Sequence, residues 1–518
     1  MRGHTNVAVV GSGLAGMAAA IEALCQTGGS TPGITVTIFE KEKRTGGNSA
    51  KASSGINGAV TQIQKSFGIN DSTDIFVHDT LKSGRGRSND VLVKRLVRDS
   101  VDAVTWLQND FSLELDSVVQ LGGHSFPRTH HIPDRDGKPR PVGWEIVSAL
   151  GSYLHKQQKQ NESRFQMITG ARVTELLTTA DGRVSGLVYE SVDSGTDKIR
   201  KHKHDCDAVV LATGGFGGEG SRSTLLKKYA PGLVGLPATN GPFATGDGIL
   251  LASAAGAALV DMDQVQVHPT GFVMASNPGN PTKILAAEAL RGEGGVLLNG
   301  LGKRFVAELD TRDRVTQAMN RFCSGKDNCA QYGGRRGVVM EGTAREPQTA
   351  AYLVLSQAAA DSFGHGAFGF YQSMGLMHNV SGLAELAAAM RVDLNTLRQT
   401  LASYDAAKDL KTADEFGKTV FPQHMLSSNE NENTYFWGIV TPSIHYTMGG
   451  VRFDEASRVL RESDGQPIPG LFAAGEVTGG LHGANRLGGN SLLECVVFGR
   501  RAGRQAAAES AGRRSEGV

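Results

Sequence analysis

Residues 7–16 read VAVVGSGLAG. The apolar run at residues 7–10 is the short, uninterrupted pattern of a parallel strand buried on both faces. Gly11, Gly13 and Gly16 follow as G-x-G-x-x-G, and a helix-like stretch runs through Leu14–Cys25. ITVTIFE, Ile34–Glu40, reads as the second strand of a β-α-β unit. Gly11 permits the tight turn, Gly13 lets the backbone approach a pyrophosphate, and Gly16 lets helix and strand pack closely. The helix start at Leu14 and Ala15 offers N–H groups and a positive dipole end to phosphates. Glu40, with Lys41 beside it, stands 24 residues after Gly16, where an acid accepts hydrogen bonds from an adenosine ribose. That acid argues against a 2′-phosphate and favours FAD or NAD over NADP.

The loops further along decide between those two. RTGGNSAKASSGIN, residues 44–57, is a second Gly/Ser/Asn loop that would run along the flavin side of a long dinucleotide through Gly47, Asn48, Ser49, Ser54, Gly55 and Asn57. LATGGFGG would turn beneath the same cofactor with Thr213, Gly214 and Gly215, and Asp247 is assigned to the same site. Residues 473–494, AAGEVTGGLHGANRLGGNSLLE, add Gly475 and Glu476 and then a helix starting near Asn490, with Ser491 and Leu492 in its first turn. Such an N-terminus would face the flavin pyrimidine edge, where its dipole favours the anionic reduced flavin.

The order of patterns points to an α/β protein with an insertion. ARVTELLTT and RVSGLVYES form a hairpin through Asp181-Gly182. CDAVVLATGGFGG, residues 206–218, and GLFAAGEVTGG, residues 470–480, repeat the strand-then-glycine pattern. Residues 263–445 are more charged and helical, as in ELAAAMRVDLNTLRQTLASY at 385–404. We expect a Rossmann-like FAD-binding domain, residues 1–262 and 446–518, split around an inserted α+β capping or clamp domain, residues 263–445. AAAESAGRRSEGV at the C-terminus reads as a helix end followed by a frayed polar tail.

Composition excludes several classes. With 518 residues, 67 of them Gly, and 40 % apolar content, the chain is globular and rich in tight turns. Lys+Arg 53 against Asp+Glu 52 gives a net charge of +1 and no support for nucleic-acid or anionic-membrane binding. Cys25, Cys206, Cys323, Cys329 and Cys495 are scattered without a C-x-x-C, so free thiols in a reducing compartment and no metal site are expected. No 18-residue apolar run occurs, and NVAVVGSG from Asn6 leaves no room for a signal peptide, so the expected location is cytoplasmic.

GSGLAG, GGNSAKASSGIN, GGHSFPRTH, HPT, EALRGEGGVLLN, FVAELDTRD, HYTMGG and HGANRLGGNSL occur in one order along nearly the whole chain. In this the chain resembles the flavoprotein family of fumarate reductases and succinate dehydrogenases, especially the soluble single-chain fumarate reductases of fungal type. The resemblance implies FAD, hydride delivery from reduced flavin N5 to fumarate, and a proton from an active-site arginine, giving succinate. That arginine matches Arg312 of the TRD phrase. Its relay partners match Glu288 and Arg291, whose i, i+3 spacing puts both on one helix face. His268, His445 and Arg486 match the carboxylate-binding set, for which guanidinium forks are suited. The cap would supply His268, Glu288, Arg291 and Arg312, and the FAD domain Arg486, with His445 at their junction. Closure of the cap would exclude water. Glu308, Asp310 and Asp313, which surround Arg312 in sequence, are expected to orient or border it.

Departures sharpen the reading. Ala287 stands where bacterial soluble relatives often carry Thr. The loop at residues 44–57 has no His, so FAD should be non-covalent. No cysteine cluster for haem or iron–sulfur centres is present, so electrons come from an external donor such as reduced free flavin or NADH. Another unsaturated substrate, of urocanate or ketosteroid type, is the alternative, and a non-catalytic flavin redox sensor a further one. Two arginines with two histidines favour a small dicarboxylate.

Overall fold

Thr5–Val10 pairs in parallel with Ile34–Glu40 on one side and Ala208–Leu211 on the other. The computed structural model that shows this describes all residues except 1–4, 27–32, 137, 193–197, 219–222, 326–327, 333–334, 337–348, 428–432 and 517–518. The full sheet has six strands in the order Arg458–Leu460, Pro467–Ala473, Ala208–Leu211, Thr5–Val10, Ile34–Glu40, Phe165–Thr169. Only the outer Arg458–Leu460 runs antiparallel. Helix Leu14–Cys25, almost wholly buried, packs against helix Asn490–Glu516. Small residues permit that approach: a Cβ at Gly503 would stand 2.0 Å from the Ala19 carbonyl oxygen. The C-terminal segment expected to fray stays helical through Glu516.

The hairpin at Asp181-Gly182 is present, with Gly182 at φ +80°. A third strand, Ile199–Asp205, extends it to a three-stranded antiparallel sheet. Its sequence, IRKHKHD, is polar and mostly exposed, so it carries no apolar alternation to announce it.

A second six-stranded sheet is antiparallel. Its order is Ile284–Leu285, Val265–Phe272, Thr434–Thr447, Ala351–Ser356, Val296–Leu298, with His378–Ser381 also on Thr434–Thr447. The helical stretch expected at residues 385–404 is divided between Leu383–Met390 and Leu394–Leu410. Arg391 turns left-handed between them at φ +56°, and Asp393 caps the second helix by accepting the Thr396 N–H at 2.8 Å. The two layers meet around a few hydrogen bonds: Gly122 N–H to Glu288 Oε1 (2.7 Å), Gly123 N–H to the Leu309 carbonyl (3.2 Å), and Gln266 Nε2 to the Arg486 carbonyl (2.8 Å). Among the described residues no helix is long and apolar enough to cross a membrane.

Candidate active site

Arg312 opens helix Arg312–Phe322 and is 4 % exposed. Its Nε donates to Glu288 Oε2 at 2.7 Å, its Nη2 lies 2.6 Å from the same oxygen, and its Nη1 donates to Gln266 Oε1 at 2.9 Å. None of the acids flanking it in sequence holds it. Glu308 pairs with Arg304 and Lys418, Asp310 with Arg314, and Asp313 with Arg85. The reason is local geometry: successive helical residues diverge by about 100° at 3.6 residues per turn, so Arg312 turns inward as Asp313 turns out. Glu288 begins the one-turn helix Glu288–Gly292. Burial would raise its carboxyl, but the charges of Arg312 and Arg291 and the Arg312 and Gly122 hydrogen bonds hold it at about 2.

Arg291 shares that helix but does not pair with Glu288 among the described residues. Its Nη1 donates to the Glu308 backbone carbonyl, while Nε and Nη2 are buried without a hydrogen-bond partner. Burial, followed by the opposing pull of Glu288, sets its pKa below the ordinary arginine value. The i, i+3 spacing therefore brings the pair close without bonding it.

His268 and His445 lie edge to face, ring centroids 5.1 Å apart. Burial first, then the positive charge of Arg312, keeps both well below the ordinary histidine value of 6.5, so both rings are neutral near pH 7. His268 Nδ1 accepts the Thr270 N–H at 3.2 Å. A neutral ring that accepts at Nδ1 carries its proton on Nε2. That Nε2 is buried and unpartnered among the described residues, a donor ready for an anion. Thr239 Oγ1 fixes His445 through Nδ1 at 2.7 Å. Arg486 completes the group. Its Nη2 donates to Gln266 Oε1 at 3.2 Å, its guanidinium lies 4.3 Å from the Tyr446 ring, and its Nε has no hydrogen-bond partner among the described residues. Burial and the charge of Arg312 lower its pKa to about 10.

The dinucleotide residues gather around the parallel sheet. Gly11 has φ +105°, and a Cβ there would meet the Ala212 carbonyl oxygen at 2.4 Å; at Gly16 it would meet the Gly11 oxygen at 2.0 Å. At Gly13 and Gly214 no atom comes closer than 3.7 Å, which leaves space at the start of helix Leu14–Cys25 and at the end of Ala208–Leu211. Glu40 Oε2 accepts the Ser12 N–H at 2.9 Å and Oγ–H at 2.6 Å. Ser49 Oγ accepts the Leu14 N–H at 3.3 Å, and Asn48 Oδ1 the Gly241 N–H at 2.9 Å. Lys41 and Asp247 pair with each other at 2.9 Å. Asn57 donates to Asn490 Oδ1 at 2.7 Å; among the described residues Asn490 Nδ2 is buried and unpartnered, as is Thr213 Oγ1. Gly215 lies against Glu476, whose carboxyl burial pushes up to about 7. Open space at a helix N-terminus, orphaned buried donors and a ribose-type acid fit a long dinucleotide.

A family model described as FAD binding domain matches residues 6–492. The chain belongs to the FAD binding domain family. FAD is accordingly its cofactor. This FAD-binding protein is 41 % identical over 498 residues to "Fumarate reductase 1" of Saccharomyces cerevisiae, covering 96 % of this chain and 97 % of that one. It is 39 % identical over 505 residues to "Fumarate reductase" of Schizosaccharomyces pombe, covering 97 % and 89 %. A solved structure described as the open conformation of a flavocytochrome c3 fumarate reductase matches with TM-score 0.69 and 31 % identity, over 98 % of this chain and 78 % of that chain.

Glu288 and Glu308 also predict acid behaviour. Both are fully buried and held at about 2, against 4.5 for an ordinary glutamate. For Glu308 burial again opposes ionisation, and Lys418 and Arg304 overcome it. A carboxyl depressed in the folded state stabilises it above the unfolded pKa and loses that contribution as pH falls through the folded one. Each therefore contributes about 3 kcal/mol at neutral pH, lost between about pH 4.5 and pH 2. The melting temperature should drop steeply on acidification through that window. A flat calorimetric profile down to pH 3 would contradict these pairings.

Proposed function

We propose that this FAD-binding protein is a soluble fumarate reductase, taking fumarate to succinate. One observation carries the reading: two buried guanidiniums, Arg312 and Arg486, converge on the single Gln266 Oε1 at 2.9 and 3.2 Å. Glu288 bonds Arg312 but not Arg486, so among the described residues the pair keeps a net positive charge, which a dicarboxylate offsets. The relatives named above support fumarate as that dicarboxylate.

Reduced FAD, when bound, supplies hydride to one carbon of the double bond. Arg486, His268 Nε2 and His445 hold the two carboxylates, and the neutral histidines donate without adding charge. Arg312 gives a proton to the other carbon, and Glu288, at 2.6 Å, returns one to the guanidinium. Arg291 lies behind Glu288 as the next group of the path. Gly11, Gly13, Leu14, Ala15 and Gly16 would hold the pyrophosphate, Glu40 the ribose, and Asn490, Ser491 and Leu492 the flavin end. Binding is non-covalent in this reading, and electrons come from an external donor such as reduced free flavin or NADH. The division at 262/263 and 445/446 belongs to the same proposal, supported by an antiparallel sheet whose strands lie between residues 265 and 447, two residues past the second division. So does a cytoplasmic location, which the free cysteines suit.

The test is a single turnover. Anaerobically reduced protein is mixed with fumarate, flavin reoxidation is followed by absorbance, and succinate is assayed. Fast reoxidation with one succinate per flavin is expected. A stable reduced flavin would reject fumarate and turn attention to other enoates.

A further inference from the structure

Glu308, outside the proposed reaction centre, is a charged group 0 % exposed. Arg304 grips both its oxygens, Nε to Oε1 at 2.7 Å and Nη2 to Oε2 at 2.8 Å. Lys418 Nζ lies 3.1 Å from Oε2, and Arg304 Nη1 donates to Asp414 Oδ2 at 2.7 Å. The Leu297 N–H reaches Oε1 at 3.4 Å. Tyr404 lies against both cations, 5.0 Å from the Arg304 guanidinium and 5.7 Å from Lys418 Nζ. Stability alone does not require such a quartet, because replacing it whole by apolar side chains of the same volume is commonly neutral. What apolar side chains cannot do is fix one backbone segment to hydrogen-bonding accuracy.

The segment fixed here runs into the proposed proton path at two points. The Glu308 carbonyl accepts from Arg291 Nη1, the one hydrogen bond of that side chain among the described residues. The next carbonyl, Leu309, accepts the Gly123 N–H at 3.2 Å, next to the Gly122 N–H that binds Glu288. Three residues later Arg312 begins its helix.

We propose that Glu308 is a positioning residue of the proton path: its carboxylate, locked by Arg304 and Lys418, holds the carbonyl that seats Arg291 and the turn that delivers Arg312. The proposal rests on the reading of Arg312 as proton donor. Glu308 touches neither substrate nor FAD; it acts through Arg291 and the backbone. A misplacement of about 1 Å at a reacting group costs on the order of 100-fold in rate. Removing the Glu308 charge should therefore slow the proton step and leave substrate binding, made by Arg486 and the histidines, in place.

Glu308→Gln and Lys418→Met are compared with the parent as flavin-loaded enzyme, with Arg312→Ala as reference. Steady-state kcat, KM for fumarate, the solvent deuterium isotope effect and flavin content are measured. In Glu308→Gln, kcat should fall about ten- to a hundred-fold, with KM within about two-fold and a larger solvent isotope effect. Lys418→Met keeps both Arg304 bonds and should show the same signature at several-fold, which serves if Glu308→Gln does not fold. A kcat within two-fold of the parent in a flavin-loaded variant overturns the proposal. So does a merely structural outcome, in which kcat, KM and flavin content of Lys418→Met deteriorate together with no change in isotope effect. If Arg312→Ala itself turns over normally, the underlying reading fails instead, and that result is separate from the other two.

Discussion

Arg312→Ala is expected to bind FAD and to lose turnover by about 1,000-fold or more, within the range that a positioned general acid contributes. Arg312 is 4 % exposed and spends Nε and Nη2 on Glu288 and Nη1 on Gln266. Alanine removes the proton source and strands Glu288, a buried carboxylate, with the Gly122 N–H its one remaining hydrogen bond among the described residues. Leaving one member of a buried pair alone costs about 3–5 kcal/mol, so the variant should also melt at a lower temperature. That loss could be confused with unfolding, so the assay is reoxidation of the prereduced, flavin-loaded variant. Arg312→Lys tests the fork. A lysine carries the charge but cannot hold Glu288 and Gln266 at once with a planar guanidinium, so it should recover stability well before it recovers rate. Turnover within ten-fold of the parent in flavin-loaded Arg312→Ala would end the proton-donor assignment.

How far the sequence could be read follows from the range over which each residue acts. The β-α-β unit is local: residues 7–40 contain the strand, the glycines, the helix and Glu40, and the structure has them in that register. The helix at Asn490 was legible for the same reason. Gln266 was not. Its role comes from one oxygen shared with residues 46 and 220 positions away, and no spacing encodes that. Thr239 is equally silent, since its hydroxyl meets His445 across 206 positions. Thr270 sat inside the quoted HPT, yet only the fold shows that its N–H settles the His268 tautomer. Within FVAELDTRD the sequence singled out Arg312 and, beside it, acids that pair with other residues. Proximity along the chain suggested Glu308, Asp310 and Asp313, whereas the partner, Glu288, arrives from 24 residues upstream. Lys41 and Asp247, each assigned to the dinucleotide, proved to be partners of one another.

Arg486→Met should separate binding from stability in the opposite sense. In the free protein Arg486 is a buried cation beside another, with Nε unpartnered among the described residues and its pKa lowered to about 10 by burial and by Arg312. Its compensation is slight: a 3.2 Å bond to Gln266, a 3.1 Å bond to the Leu487 carbonyl, and the Tyr446 ring at 4.3 Å. Methionine fills similar space without charge, so the melting temperature without substrate should hold or rise. Function should suffer. Truncating one partner of a buried charge pair costs on the order of 4 kcal/mol, which lowers kcat/KM for fumarate by about 1,000-fold. The loss should fall mainly on KM, because Arg486 grips a carboxylate present in both ground and transition states. Arg486→Lys should recover little, because an ammonium offers no paired fork. Calorimetry with and without succinate decides it. Succinate should raise the melting temperature of the parent by mass action and leave that of Arg486→Met unmoved. An equal shift in both would mean that Arg486 does not bind the dicarboxylate and that the carboxylates sit with His268, His445 and Arg312 alone.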